Sequence, residues 1–286
     1  MSDPIAPEPP GGALDPTRQV TVVRVSPEGR STESDVAATE EPLEIRLHDR
    51  SFAVIMRTPG ADRELAAGFL LAEGVIEHAS ELGAVEHCRH PHHPDVHNIV
   101  NVFLLGDAVA RLDATLAERR NVMANSSCGL CGRVTIDSLR TRAAPLQSTM
   151  MVAPAVVHGL PEALRAEQAV FDRTGGLHGA ALFTSGGVLI TSAEDVGRHN
   201  AVDKVIGRLL LEERLPQDDV VLVVSGRTSY EIVQKAWLAG FPVICAVSAP
   251  SSLAIELAGE AGITLLGFAR GSAFNIYSHA QRIRAV

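Results

Sequence analysis

The run DDVVLVVS, from Asp218 to Ser225, constrains the fold more than any other segment of the chain. Its consecutive apolar residues leave the strand no water-facing side, so the strand is expected to be buried on both faces of a sheet. Helical and strand-like segments continue to alternate after it, in the order SYEIVQKAWLAG, PVICAV, SSLAIELAGEAG and ITLLGF. This pattern predicts a three-layer α/β domain with a sheet of mixed strand direction.

A smaller group of elements precedes this domain. The segment 41–60 alternates apolar and polar residues around an HDR turn, which predicts a β-hairpin, and 20–25 and 98–105 predict further strands. A helix follows the hairpin, with Asp62 as its expected N-cap and Gly74 as its expected end. We therefore divide the chain into a disordered leader at 1–18, a small α/β lobe at 19–110, a linker at 111–150 and a three-layer domain at 151–286.

Composition and charge limit the classes of function. Aromatic residues make up 4% of the chain and hydrophobic residues 46%, so Ala, Val, Leu and Ile must build the core. No apolar run approaches the roughly 20 residues that span a bilayer. The acidic, proline-rich N-terminal stretch is not expected to be a signal peptide, and the predicted location is the cytoplasm. The net charge of −9 argues against a general nucleic-acid binder, but grouped arginines and backbone N–H groups can still hold one anion.

Two of the four cysteines, Cys128 and Cys131, lie three positions apart in the segment SSCGLCG. Serine and glycine around them disfavour regular structure, which predicts a mobile loop. A zinc site would need further ligands, and a site shared with the segment EHCRHPHHPDVHN stays open. That segment contributes His87, Cys88, His90, His92, His93 and His97. The fourth cysteine, Cys245, is expected to be a buried apolar residue.

Two other chemistries need no ligand beyond the pair itself. A thioredoxin-like dithiol normally opens a helix packed against a βαβ unit, and no such strand and capped helix is evident here. A sulfur carrier fits the glycine-flanked context better, because its persulfide has to reach a donor protein and then an acceptor. The second cysteine could release the terminal sulfur or assist as a neighbouring thiol, and the spacing does not separate these roles.

Several segments of the C-terminal domain together predict a nucleotide-sized anionic ligand. A buried strand that runs into SGRTS and then a helix favours phosphate binding, although it lacks the lysine of a Walker A loop. The junction is repeated at 248–252, and the later segment GFARGSAFNIYS carries Asn275 and Tyr277, which can contact a planar heterocycle. The candidate contacts are His178, Arg198, His199, Asn200, Ser225, Gly226, Arg227, Thr228 and Ser229.

Six segments, taken in order, resemble those of the FdhD family, the sulfurtransferases required to make formate dehydrogenase active. They are SSCGLCG, TGGLHGAALF, EDVGRHNAVDKVIG, SGRTSYEIVQKA, AVSAPSSLAIELA and GFARGSAFNIY. The resemblance extends from about residue 40 to the C-terminus and leaves out the histidine-rich segment.

The resemblance implies a reaction and its participants. A cysteine desulfurase would pass sulfur to Cys128, with Cys131 as its partner, and the sulfur would go to the molybdenum of bis-molybdopterin guanine dinucleotide. This cofactor would be bound as a substrate, with no cofactor held permanently, and formate dehydrogenase would receive it. A homodimer is also expected. The implied cofactor-binding segment is Phe268, Ala269, Arg270, Gly271, Ser272 and Ala273.

The C-terminal half is also similar to the cytidine-deaminase-type α/β fold. Zinc deaminases use H-x-E followed later by P-C-x-x-C. This chain has HGA at the one comparable position, and its C-x-x-C lies upstream without the proline. The fold is therefore expected without zinc chemistry. The alternative functions are a cofactor- or nucleotide-binding chaperone, a zinc hydrolase and a disulfide reductase.

Overall fold

The structure is a computed structural model that describes residues 15–88, 98–119 and 143–285. Strands and helices of these residues form three sheets with helices packed on them, so the predicted α/β class is confirmed. No helix in this part of the chain combines the length and apolar character needed to cross a membrane.

A two-stranded antiparallel ribbon opens the described chain. Strand β1 (Thr17–Ser26) contains the predicted strand at 20–25, and β2 (Gly29–Ala38) pairs with it along its whole length. The sequence did not predict β2, because GRSTESDVAA lacks apolar alternation. At the base of the ribbon, Arg173 donates a hydrogen bond of 3.0 Å to the hydroxyl of Thr17, which ties the ribbon to the C-terminal domain.

The small lobe combines a four-stranded sheet with two helices. The bounds are Glu41–Leu47 (β3), Arg50–Arg57 (β4), Leu82–His87 (β5), Ile99–Leu104 (β6), Asp62–Ala72 (α1) and Gly106–Arg119 (α2). The sheet order is β4-β3-β6-β5. The predicted hairpin is confirmed, since β3 and β4 are antiparallel, and β6 pairs parallel with β3.

The start of α1 differs from the sequence prediction, while its end agrees. Asp62 is the first helical residue, and Ala61 takes the N-cap position with a positive φ of 54°. The reason is that both carboxylate oxygens of Asp62 accept hydrogen bonds of 2.9 Å from the guanidinium of Arg57. The expected end at Gly74 is confirmed by its left-handed φ of 69°.

Helix α2 lies where the sequence shows no clear helical pattern, and it crosses the predicted boundary at residue 110. Its core contacts recur every four residues, at Ala108, Leu112 and Leu116. That is a helical period, but the charged and polar residues between these positions obscure it in the sequence.

The C-terminal domain is built on a six-stranded sheet. The bounds are His178–Thr184 (β7), Leu189–Asp195 (β8), Val220–Val224 (β9), Val243–Ala246 (β10), Thr264–Arg270 (β11) and Ala273–Ser278 (β12). The order is β12-β11-β10-β9-β7-β8. Strands β9, β10 and β11 are parallel, whereas β7, β8 and β12 are antiparallel to their neighbours. The predicted mixed sheet is therefore confirmed, with β12 as a strand that the sequence pattern did not indicate.

Helices cover both faces of this sheet. Their bounds are Pro154–Ala166 (α3), Ala169–Thr174 (α4), Arg198–Leu211 (α5), Tyr230–Leu238 (α6) and Ser252–Ala261 (α7). On one face Leu160 of α3 joins a core with Val221 and Val223 of β9. On the other face α5, α6 and α7 pack with Leu222 and the small lobe. The predicted three layers are present, and β9 is buried on both sides.

The two lobes share one continuous core, because α1 packs directly on α5. A Cβ on Gly207 would lie 1.8 Å from the carbonyl oxygen of Glu64, and one on Gly68 would lie 2.0 Å from that of Asp203. Both distances are far below van der Waals contact. The crossing of these helices therefore requires glycine at both positions.

A buried polar network, the inter-lobe joint, closes the contact beside these helices. It consists of Asp195, Asn200 and Lys204 with the backbone of Met56 and Thr58. The carboxylate of Asp195 pairs with Lys204 at 2.7 Å and accepts from the Thr58 N–H at 3.2 Å. Lys204 donates to the carbonyl of Thr58 at 2.9 Å, and Asn200 donates to that of Met56 at 2.8 Å. Asp195 is 0% and Lys204 2% exposed, so these groups hold the lobes together away from water.

Candidate functional site

One edge of the large sheet brings together the carboxyl ends of β9, β10 and β11 and the amino end of the antiparallel β7. A cavity of about 620 Å³ opens at this edge. Open α/β sheets collect their ligands at such strand ends. From the sheet side the cavity is lined by His178, Ser225, Val247, Arg270 and Gly271.

The loop after β9 is held against β7 on the floor of the cavity. Ser225 donates its backbone N–H to the carbonyl of Gly179 at 3.0 Å, and its hydroxyl accepts the Gly179 N–H at 2.9 Å. A Cβ on Gly226 would lie 3.4 Å from the His178 ring and 3.7 Å from the Arg198 side chain. Four predicted contacts, His178, Arg198, Ser225 and Gly226, therefore lie together. The next residue, Arg227, is exposed and is not among the residues that line the cavity.

The environment of His178 favours its neutral form. Burial, and then the positive charges of Arg198 and His199, lower the pKa of His178 below its usual value of 6.5. A neutral imidazole at pH 7 can accept a hydrogen bond from a ligand or donate one to an anion. The fixed positive charge beside it comes from Arg198.

Three buried polar atoms near the starts of α5 and α6 have no hydrogen-bond partner among the described residues: Arg198 Nε, Thr228 Oγ1 and Glu231 Oε1. Thr228 is 1% exposed, and its backbone is fixed by bonds to Ala249 and Ser251. Because buried polar groups are nearly always bonded, these atoms are candidate contacts to a ligand. The donors among them suit an anion.

Two side-chain contacts, one from His199 and one from Asp203, fix α5 against α6 behind the loop. The ring of His199 places Nε2 2.7 Å from the carboxylate of Glu231 and 3.0 Å from the hydroxyl of Ser229, the N-cap of α6. One turn further along, Lys235 contacts Asp203 at 2.6 and 2.8 Å. Burial raises the pKa of Asp203 to about 6, and Lys235 offsets part of that rise. His199 and Ser229 thus lie next to the loop, in a rigid setting.

Other polar residues of the segment EDVGRHNAVDKVIG hold the protein itself. Asn200 belongs to the inter-lobe joint, where its amide also donates to Asp195 at 2.8 Å; its contact with a ligand stays a prediction. Both carboxylate oxygens of Glu194 accept backbone N–H groups of α4, from Val170 at 2.9 Å and Phe171 at 2.8 Å. Some charged and polar residues of this segment therefore stabilise the protein, and others are candidate ligand contacts.

The residues of the predicted cofactor-binding segment lie in different parts of the structure. Arg270 and Gly271 line the cavity. Phe268 is 37% exposed with a positive φ of 53°, and the guanidinium of Arg270 lies 5.7 Å from its ring centre. Asn275 and Tyr277 bond to each other at 3.3 Å on the edge strand β12. The remaining residues lie in the core (Ala269) and beside a second cavity of about 460 Å³ (Ser272 and Ala273).

Cys128 and Cys131 lie outside the described residues, as do the histidines of 89–97. Cys88 is half-buried and Cys245 is buried. Burial raises the pKa of Cys245 to about 12, so its thiol stays protonated and unreactive. Within 15–88, 98–119 and 143–285, no group of three or more His, Cys, Asp or Glu side chains could hold a metal ion.

Sequence reasoning missed the wall of the cavity opposite the sheet. PEALRAEQAVF predicts one continuous helix, whereas α3 ends at Ala166 and α4 begins at Ala169. The break turns both helices toward the strand ends, and no residue pattern signals this closure. The wall includes Pro161, Glu162, Leu164, Arg165, Gln168 and Phe171.

Comparisons with known proteins agree on one family. A model of the FdhD/NarQ family matches residues 38–284. The chain is 49% identical over 272 residues to the sulfur carrier protein FdhD of Streptomyces coelicolor, covering 93% of this chain and 95% of that one. It is 46% identical over 272 residues to the protein of the same name from Sulfurisphaera tokodaii, covering 93% and 98%. A crystal structure of a candidate formate dehydrogenase accessory protein from Desulfotalea psychrophila is similar with a TM-score of 0.75 and 27% identity, over 94% of this chain and 100% of that one.

Proposed function

The chain belongs to the FdhD/NarQ family, and from this premise we propose that it is a sulfur carrier in the maturation of formate dehydrogenase. It receives sulfur from a cysteine desulfurase on Cys128. It delivers that sulfur to the molybdenum of bis-molybdopterin guanine dinucleotide, which is its substrate. The protein acts in the cytoplasm as a homodimer.

The loading step is a thiol exchange. The thiolate of Cys128 attacks the terminal sulfur of the desulfurase persulfide, a new S–S bond forms on Cys128, and the desulfurase thiolate leaves. One neutral sulfur atom moves, so no outside oxidant or reductant is needed. The serine and glycine neighbours of Cys128 place no bulky side chain beside the attacking thiolate.

The release step gives Cys131 a distinct role. Its thiolate attacks the inner sulfur, the one bound to the Cys128 side chain, and forms a disulfide between the two cysteines. The terminal sulfur leaves as hydrosulfide and becomes available to the metal. The two cysteines are oxidised as the sulfur is reduced, so the electrons balance within the pair.

The observation that carries this function is the cavity at the strand ends with its unsatisfied donors. Its volume of about 620 Å³ is in the range of small-molecule sites. Arg270 lines it, and Arg198 Nε and the Thr228 hydroxyl lie beside it, buried and without a partner among the described residues. Buried donors without acceptors favour a ligand that brings negative charge, as the diphosphates of the cofactor do.

The decisive experiment is intact-protein mass spectrometry after incubation with a cysteine desulfurase and cysteine. We expect a gain of one sulfur atom, mapped to the peptide with Cys128, and no gain in Cys128→Ala. Cys245→Ser serves as the matched control, since its buried thiol should not load. Equal loading of Cys128→Ala and the parent would contradict the assignment. Under the proposed release step, Cys131→Ser should hold its persulfide longer than the parent.

The cavity also supports a second candidate, a chaperone that binds the cofactor without sulfur chemistry. The site at the strand ends would serve that function equally well. A strain carrying Cys128→Ser and Cys131→Ser together separates the two. Active formate dehydrogenase in that strain would establish the chaperone, and its loss with unchanged cofactor binding would establish the carrier.

A further inference from the structure

We propose that the free edge of β12 and the cavity of about 460 Å³ beside it bind an extended segment of formate dehydrogenase. This edge and this cavity are together called the β12 groove. The segment adds a strand to the sheet, places an apolar side chain in the cavity and brings an acidic group to Arg284. The inference rests on the proposed function, in which formate dehydrogenase receives the sulfurated cofactor, and it assigns that recipient a place to dock.

The outer side of β12 has no backbone partner in the described chain. The strand lies at the end of the six-stranded sheet, and apart from its pairing with β11 no described residue makes a backbone hydrogen bond to residues 273–277. Natural proteins usually protect such an edge with charged residues, with proline or with a covering element. The sequence of β12, AFNIYS, contains neither charge nor proline. An unprotected edge of this kind can accept an additional strand from another protein.

The strand at the opposite edge of the same sheet, β8, is protected. Two side chains of α5 donate hydrogen bonds to its carbonyls, Arg208 to that of Ser192 at 3.4 Å and Lys204 to that of Glu194 at 3.2 Å. Strand β8 also carries the carboxylates of Glu194 and Asp195. The chain therefore covers one edge of this sheet and leaves the other open, which favours a binding function for the open edge.

The cavity lies on the side of β12 to which alternate side chains point. Phe274 and Ile276, two positions apart, line it together with His158 of α3 and Ile283 of the C-terminal segment. The ring centres of His158 and Phe274 are 5.4 Å apart, and Ile276 is 38% exposed. A strand added beside β12 points every second side chain to the same side. One apolar side chain of the bound segment can therefore enter the cavity.

Charge determines which kind of segment fits the groove. No Asp or Glu follows Glu260, whereas Arg270, Arg282 and Arg284 do, in a chain of net charge −9. None of the described residues that line the cavity is acidic. The backbone N–H of Arg284 donates to the carbonyl of Val152 at 3.0 Å, while the side chain of Arg284 is exposed. A guanidinium held beside an apolar cavity favours a segment with an acidic residue next to its apolar anchor.

The position of the groove favours formate dehydrogenase over the desulfurase as the source of the segment. The turn between β11 and β12 separates the two cavities: Arg270 and Gly271 line the larger one, and Ser272 and Ala273 line the smaller one. The cofactor is proposed to bind in the larger cavity, so a recipient in the β12 groove lies next to it. The desulfurase acts on Cys128 and has no need to contact the cofactor.

The test measures binding of the full-length protein to formate dehydrogenase purified without its molybdenum cofactor, by biolayer interferometry. Ile276→Lys places a charge on the open edge and should weaken binding at least about tenfold, which corresponds to about 1.4 kcal/mol. Leu189→Lys is the matched control, because Leu189 is 36% exposed on the other edge strand, β8; it should bind like the parent. Arg284→Glu should also weaken binding about tenfold, whereas Arg30→Glu, at an exposed position of β2, should not.

Hydrogen exchange of the complex distinguishes an added strand from a contact between side chains alone. A strand paired with the outer side of β12 occupies backbone N–H groups that no described residue binds, so amides of residues 273–277 should exchange more slowly with formate dehydrogenase bound. The amides of β8 should exchange at the same rate with and without the enzyme. An unchanged exchange rate in β12 would overturn the strand addition.

The outcomes separate this inference from the proposed function. Equal binding of formate dehydrogenase by Ile276→Lys and the parent would overturn the docking site even if Cys128 still loads sulfur. Slower exchange of β12 that grows with the concentration of this protein alone would assign the edge to a second copy and overturn it as well. A loss of loading by the desulfurase in Ile276→Lys, with formate dehydrogenase bound as before, would assign the groove to the desulfurase instead. Failure of Cys128 to load in the parent would overturn the carrier and leave the docking site standing.

Discussion

The inter-lobe joint and the rim of the cavity are both rich in charge, and α5 contributes to each. In the joint, Lys204 has a carboxylate and two carbonyls within 3.2 Å. Next to the cavity, Arg198 lies six positions earlier on the same helix, beside Gly226. Its buried Nε has no partner in the described chain. Both residues come from one polar stretch of sequence. The charge density of this stretch therefore does not separate structural residues from proposed ligand contacts. The number of hydrogen-bond partners is the criterion that distinguishes Lys204 from Arg198.

The energetic consequence also differs between the two regions. A buried charge that loses its partner is costly, because its desolvation is no longer offset. A buried polar group that already lacks a partner lowers the free energy of unfolding of the free protein. Binding of a ligand that pairs with the group restores this free energy. Substitutions in the joint should therefore act on stability, and those at the rim on affinity.

The largest effect is expected for Gly207→Ala, at the crossing of α1 and α5 beside the inter-lobe joint, where the two helices are in backbone contact. The added Cβ would overlap the carbonyl oxygen of Glu64, and the helices would have to separate. We expect a loss of more than about 4 kcal/mol in the free energy of unfolding, measured by urea denaturation. Gly259→Ala is the control: it lies in α7 with open space around it and should gain about 0.5–1 kcal/mol. Similar stability of the two variants would contradict the close crossing of α1 and α5.

The next effect compares the two cations of α5. Lys204→Met leaves Asp195 buried without its counter-charge and should cost about 3–5 kcal/mol. Arg198→Met should change the free energy of unfolding by less than about 1 kcal/mol and weaken GDP binding instead. Urea denaturation and calorimetry measure the two quantities. An equal loss in the free energy of unfolding in both variants would contradict the assignment of Lys204 to a structural role and of Arg198 to ligand binding.

The sequence predicts those features of the fold that leave a local pattern of residues. The apolar run of β9 and the alternation after it predict the mixed three-layer sheet, because burial on both faces leaves such a pattern. Ser225 and Gly226 of SGRTS and His178 are also predicted as contacts, and the structure places these three residues together, since a strand end followed by a helix is visible in sequence. Arg198 and Lys204 look alike in sequence because partners across the fold leave no local mark.

The elements that the sequence missed are set by contacts between segments. The polar strand β2 is defined by its pairing with β1, and β12 by its pairing with β11. The cavity wall at Gln168 depends on how α4 closes over the sheet edge. Pairing with the adjacent strand of a hairpin decides the first two, and helix packing decides the third. The apolar periodicity within each segment carries no information about either.

Two threonines, Thr228 and Thr58, allow the same comparison for single hydrogen bonds. Thr228→Val removes a hydroxyl that has no described partner, so stability should stay constant or rise by up to about 1 kcal/mol, while GDP binding weakens about fivefold. Thr58→Val removes a hydroxyl that accepts the Val196 N–H at 3.1 Å and should cost about 1–3 kcal/mol. Thermal unfolding and calorimetry distinguish them. A larger loss of stability in Thr228→Val than in Thr58→Val would refute the assignment of partners.

The smallest effect is a pH dependence at the cavity. The pKa of His178 is lowered in the folded protein, so the unfolded chain binds a proton more tightly, and this group makes the folded state less stable as pH falls below about 6.5. The slope of stability between pH 7.5 and 5.5 should therefore be shallower in His178→Gln. A phosphate ligand near the ring should raise the pKa of His178, which an NMR titration with and without GDP would detect. An unchanged or lower value with GDP would place the phosphates away from His178.

The glycine crossing of α1 and α5 has a consequence for how this architecture can be recombined. Because two main chains meet there without side chains between them, neither lobe is a portable module that could be exchanged with an unrelated sequence. A chimera between two relatives should fold only when the parent that supplies residue 68 and the parent that supplies residue 207 both provide glycine. The seam thus acts as a compatibility requirement for protein engineering, set by a pair of missing methyl groups.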